Sequence, residues 1–150
     1  MNFESELTEF LAETNRLISK VEENMLTSLK THPVSLAEAH AIEAVGKDKE
    51  GRSITELAND LDIALPSVTA AIWKLAKRGF VEKLKDENDK RVVKVKLTKL
   101  GERVNMVHRL IHERMVDEII DAFTEEERAL IFKMLHRINN FFRDKLEENR

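Results

Sequence analysis

Between Phe80 and Leu97 the apolar period of this chain drops from about 3.6 residues to 2, and after Thr98 it returns. That double switch constrains the fold more than any other feature. A period of 2 sends alternate side chains to opposite faces of a strand, whereas a period near 3.6 gathers them on one helical stripe. "FVEKLK" and "RVVKVKL" flank the polar tip "DENDK", and Val93, Val95 and Leu97 alternate with Lys94 and Lys96. The fold class is therefore mainly α with one small β-hairpin, and a long helix follows the hairpin directly.

Two prolines and four glycines punctuate the rest. Phe3, Leu7, Phe10, Thr14, Leu17 and Val21 recur at helical spacing and predict one long amphipathic helix. It ends at "THPV", because the residue before Pro33 is steered out of the helical region. Ser35 with Glu38, and Ser53 with Glu56, form capping boxes that open two shorter helices, the first ending at Gly46. After a break at Asp62-Ile63-Ala64, Pro66 fits the first turn of "LPSVTAAIWKLAKRGF", and Gly79 ends that helix behind Lys77 and Arg78.

Leu57, Ala58, Leu61, Val68, Ile72 and Leu75 give the second short helix and its successor a shared apolar face, which makes a helix-turn-helix. With the hairpin attached, the motif is a winged helix-turn-helix spanning 34–100. Helix pairs of this kind also serve purely as core, so the motif alone assigns no function. Helical period resumes through Val104, Val107, Ile111, Met115 and Ile119. A last helix, opened by Thr124 and Glu127, carries Leu130, Met134, Leu135, Ile138, Phe141 and Phe142. The terminal helices hold more apolar surface than one small winged domain covers. Residues 1–31 and 102–150 are accordingly expected to form a homodimer.

At 150 residues the chain is long enough for one domain with a substantial core. No run approaches the roughly 18 apolar residues of a membrane span, the N-terminus is no signal peptide, and no membrane association is expected. The lack of cysteine excludes disulfides and thiolate chemistry and fits a reducing cytoplasm. Gly-rich phosphate loops and Gly-x-Ser-x-Gly elbows are missing too, so the chain reads as no enzyme. Net charge is −3, unevenly spread: residues 65–99 hold ten Lys/Arg against four Asp/Glu, or +6, and the remainder carries −9. A basic segment within an acidic protein is a local electrostatic footprint suited to double-stranded DNA.

Ala58-x-x-Leu61, "PSVTAAIWKLAKRGFVEK", and then "DENDKRVVKVKLTKLG" with its Asp89-x-Arg91 pair and Leu-Thr-x-x-Gly, closely resemble the MarR family of transcriptional regulators. The resemblance covers nearly the whole chain. It implies a homodimeric regulator, a repressor by expectation, that binds an inverted-repeat operator. On the exposed side of the second helix of the motif, Pro66, Ser67, Thr69, Ala70 and Lys74 are the candidate DNA contacts. Ser67 and Thr69 have hydroxyls for base edges or phosphates, and Lys74 has a charge for phosphate. Trp73 either packs at the domain surface or offers an apolar contact to a thymine methyl or sugar. In the wing, Arg91 is the candidate for minor-groove insertion, with Asp89 holding its guanidinium and Lys85 and Lys90 reaching phosphates. The rival reading is a winged protein-interaction module without DNA binding, for which neither the basic segment nor these residues are needed.

His108 and His112 stand one helical turn apart and can face the same way. Arg109 stands where a zincin would carry glutamate, so protease chemistry is unsupported. His40 lies on the second helix, which in this family packs near the dimerisation helices, and Glu22 or Glu23 can approach the same region. Three imidazoles and a carboxylate are a reasonable zinc set. "AEAHAIEAVGK" and "HERMVDEIIDAFTEEE" also resemble the FabT-type repressors of fatty-acid synthesis within the same family. That likeness implies acylated carrier protein as the favoured effector, with zinc as the alternative. His40, His108 and His112 are expected to line the ligand pocket in either case; His32 and His136 have no partner legible in sequence.

Overall fold

Each capping signal in the sequence opens a helix in the computed structural model, which describes residues 2–27, 32–85 and 93–148. Helix α1 (Phe3–Leu26) begins at Asn2, whose side chain accepts from the Glu4 N–H. Helix α2 (Leu36–Gly46) carries the complete Ser35/Glu38 capping box. Helix α3 (Ile54–Leu61) carries the Ser53/Glu56 box and ends on Asp62 in the left-handed region. Helix α4 (Leu65–Lys77) has Pro66 in its first turn and no side-chain cap. Gly79, at φ +80°, then turns the chain into the sheet, a conformation that a Cβ would oppose.

Among the described residues the sheet has three strands where the sequence reading gives two. Strand β1 (Arg52–Ser53) pairs with β3 (Val93–Leu97), which pairs in turn with β2 (Val81–Lys85), all antiparallel, in the order β1-β3-β2. Arg52 faces Val95 across one edge and Lys83 faces it across the other. The hairpin tip lies outside the described residues. Ile42, Leu57, Ile72, Leu75, Phe80 and Val95 form the centre of the core. Asp60 ties its rim together, bridging Lys47 at 2.9 Å and Arg52 at 2.8 Å, while Arg52 also donates to the Ala44 carbonyl.

Helix α5 (Lys99–Asp121) is locked to the sheet by the Leu-Thr-x-x-Gly segment. Thr98 donates its hydroxyl to the Gly79 carbonyl at 2.6 Å and accepts from the Gly101 N–H at 3.2 Å. Gly101 is there because a Cβ would stand 2.1 Å from the Phe80 carbonyl oxygen. The chain divides into two units, Met1–Ile111 and His112–Arg150, with the boundary inside the unbroken α5. The second unit holds the end of α5 and helix α6 (Glu125–Glu148), which buries no residue. Its turn is fixed by the Thr124/Glu127 box and by Arg128, which donates to the Ile120 and Phe123 carbonyls. No helix among the described residues is long and apolar enough to cross a membrane.

Candidate functional site

Val68, Ile72 and Leu75 seat α4 against the core, leaving Pro66, Ser67, Thr69, Ala70, Trp73 and Lys74 exposed. Trp73 is 63% exposed, so it does not pack into the domain. Leu65, Pro66, Thr69, Ala70 and Trp73 join into one shallow apolar surface. Thr69 donates its hydroxyl to the Leu65 carbonyl at 2.9 Å, the back-bond available to a helical threonine. The hydroxyl expected for base edges is thus engaged within the helix. Lys74, expected to be free for phosphate, lies 3.0 Å from Glu38. Lys85 ends β2, exposed and opposite Val93. Asp89, Lys90 and Arg91 lie outside the described residues.

Glu38 joins α2 to the end of α4. Its carboxylate accepts from the Ser35 N–H at 2.9 Å and from Arg78 at 2.8 Å, besides its pair with Lys74. Arg78 also donates to the Pro33 carbonyl and lies over the Phe80 ring. Burial alone would raise the Glu38 carboxyl. The Ser35 backbone bond and the two cations outweigh it and hold the group at about 2. Sequence reading identified Glu38 only as a capping residue. Its second role needs a partner forty positions away, which no local pattern signals.

The histidine cluster is assembled from three helices. Glu22 of α1, His40 of α2, and His108 and His112 of α5 each offer one ligand atom, and these atoms all lie within 4.8 Å of one another. Glu22 is only 4% exposed and His108 fully buried, while Glu23 is exposed. The His40 and His108 rings are 5.5 Å apart. His108 Nδ1 is 3.2 Å from a carboxylate oxygen of Glu43, a residue missed in the sequence although His40-x-x-Glu43 puts it one turn along α2. His32 is half-buried, and His136 meets the Phe132 ring edge-on.

A cleft of about 580 Å³ runs elsewhere along α5, lined by Gly46, Lys49, Glu82, Lys96, Asn105 and Arg109 among others. None of the three candidate histidines borders it. This cleft is thus a separate place from the histidine cluster. The cluster has the compactness and donor chemistry of a metal site: nitrogen and oxygen donors, partly withdrawn from water, gathered around one point.

A profile of the MarR family matches residues 47–93. The chain is 33% identical over 90 residues to the HTH-type transcriptional regulator YybA of Bacillus subtilis, covering 59% of this chain and 60% of that protein. It is 30% identical over 113 residues to the HTH-type transcriptional regulator BilQ of Clostridium symbiosum, covering 75% of this chain and 77% of BilQ. Among solved structures, Streptococcus pneumoniae FabT in complex with DNA superposes with a TM-score of 0.89 at 30% identity, over 93% of this chain and 97% of FabT. Those identities over those spans, on this winged fold, make the chain a member of the MarR family of DNA-binding transcriptional regulators.

Proposed function

We propose that this protein is a homodimeric repressor that binds an inverted-repeat operator and takes its signal from a transition metal, zinc by class, at Glu22, His40, His108 and His112. Dimerisation rests on the apolar residues that α1 and α6 each leave exposed, Phe3, Phe10, Phe132 and Phe141 among them. Two winged domains related by a two-fold axis would read half-sites about 10 bp apart. Pro66, Ser67, Thr69 and Ala70 would face the major groove. Lys85, Asp89, Lys90 and Arg91 would serve the wing. Lys74 could reach phosphate by exchanging its Glu38 partner.

The observation that carries the metal reading is the convergence of three imidazoles and a buried carboxylate within 4.8 Å. Buried charged groups are retained where they are paired or coordinate a cation. Bound there, a metal supplies a cross-link among α1, α2 and α5. His108 Nδ1 lies 3.2 Å from Glu43, whose carboxylate would fix the ring's orientation. His40 lies two residues beyond Glu38 on α2, and Glu38 grips Lys74 and Arg78 of the α4 end. A displacement of α2 is therefore passed to the helix that faces DNA. The effector acts only through its different affinity for the two arrangements.

Acylated carrier protein is the competing effector, supported by the likeness to FabT. Operator affinity measured by fluorescence anisotropy across a zinc titration tests the choice. The metal reading expects a change of about tenfold, lost in His40→Ala, whose exposed ring is safe to remove. Affinity that ignores zinc and responds to acylated carrier protein overturns it.

A further inference from the structure

We infer that this protein reads its operator through thymine methyl groups, with Trp73 and the apolar surface around it as the reading element. The inference rests on the DNA-binding function and goes beyond it to what is recognised. Bidentate readers of guanine and adenine are arginine, lysine, asparagine and glutamine. Helix α4, "LPSVTAAIWKLAK", contains no arginine, asparagine or glutamine. Of its lysines, Lys74 is 3.0 Å from Glu38, and Lys77 stands in the last turn. Arg78, just beyond the helix, is held by Glu38 and the Pro33 carbonyl.

Thr69 shows the same bias. Because its hydroxyl bonds to the Leu65 carbonyl, it has a methyl group to offer outward rather than a donor. Pro66, Thr69 or Ala70, and Trp73 recur at three- and four-residue intervals, so they lie along one face of the helix. Together with Leu65 they form a continuous apolar surface on the element that the winged fold presents to a groove. The one apolar marker that a base pair displays in the major groove is the thymine C5-methyl. An exposed tryptophan among small apolar residues, on a helix without amide or guanidinium readers, matches that marker best, with the indole N–H and the Ser67 hydroxyl as donors beside it. The cations of residues 65–99 supply the charge complementarity that brings this surface to DNA.

Selection from random duplexes by the full-length protein gives its preferred site, and each thymine in it is then replaced singly by deoxyuridine. This removes the methyl and leaves base pairing intact. At one or two positions per half-site the loss is expected to be about fourfold, the value of one buried methyl-sized group. Trp73→Ala, a change at an exposed position, should lower specific affinity and abolish the deoxyuridine effect at the position it contacts. It should leave binding to unrelated DNA unchanged. Trp73 is the chain's single tryptophan, so its emission should shift when operator saturates the protein. Specific binding indifferent to every deoxyuridine, or Trp73 emission unmoved at saturation, overturns this inference alone. A protein that prefers no sequence overturns the proposed operator binding as well.

Discussion

Both carboxylate oxygens of Glu38 are engaged, and the side chain is only 12% exposed. Its folded-state value near 2 lies below the usual 4.5, so the unfolded chain binds the proton more readily. The stabilisation is fully present above pH 4.5 and is lost as pH falls from 4.5 toward 2. Allowing for the solvent around Lys74, it amounts to about 2 kcal/mol. Glu38→Gln should therefore cost about that much at pH 7 and only a small fraction of it near pH 2, where half of the parent's Glu38 is protonated too; urea unfolding across that range checks it. An equal loss at both ends would mean that capping geometry, not charge, stabilises this corner. Residues of this kind mark where sequence reading stops. Ser35 and Glu38 were legible as a capping box because their partners are three residues apart. The Lys74 and Arg78 contacts were not, and neither was the fate of the Thr69 hydroxyl, which has a carbonyl one turn back as well as solvent to choose from. Trp73 was open for the same reason: helical period assigns it a face but does not say whether anything covers that face.

Elements were legible wherever period and punctuation agreed. The switch to period 2 predicted β2 and β3, and Val95 is indeed the buried member of the alternation. Strand β1 escaped, since two residues carry no period. Its existence follows from Val95 and Lys94 having backbone groups to pair on their second edge. The Leu-Thr-x-x-Gly motif gains a physical reason here. Thr98 ties the first turn of α5 to the Gly79 carbonyl, and Gly101 lets that turn rest on the Phe80 carbonyl. Gly101→Ala would put a methyl against backbone, which cannot rotate away as a side chain can. The expected cost is about 2–3 kcal/mol, typical of overpacking, visible as a melting temperature lower by about 5–10 °C. Because the displaced strand carries the wing, DNA affinity should fall with it. An unchanged melting temperature would mean that α5 can slide on the sheet, and the lock is then no lock.

At the scale of the whole molecule, charge and apolar surface divide the labour. Residues 65–99 carry +6 within a chain of −3, so the acidic remainder is repelled by DNA and the winged segment is turned toward it. The apolar residues left open on α1 and α6 lie outside that basic segment. They fit a partner copy, since each copy adds a second basic segment and a second α4. Two linked half-site contacts bind far more tightly than one, because the second contact is made at high effective concentration. The expected particle has twice the 17.4 kDa chain mass by light scattering. Phe141, exposed on a helix that buries nothing, can be changed without opening the core of the first unit. Phe141→Asp should shift the mass toward one chain and keep helical circular dichroism. It should lower affinity for an inverted repeat by about 10²-fold or more, with little effect on a single half-site. A variant that stays at twice the chain mass and holds the repeat as tightly as the parent would place the dimer interface away from Phe141. A parent protein that runs as one chain and still prefers the inverted repeat would remove the two-fold argument altogether.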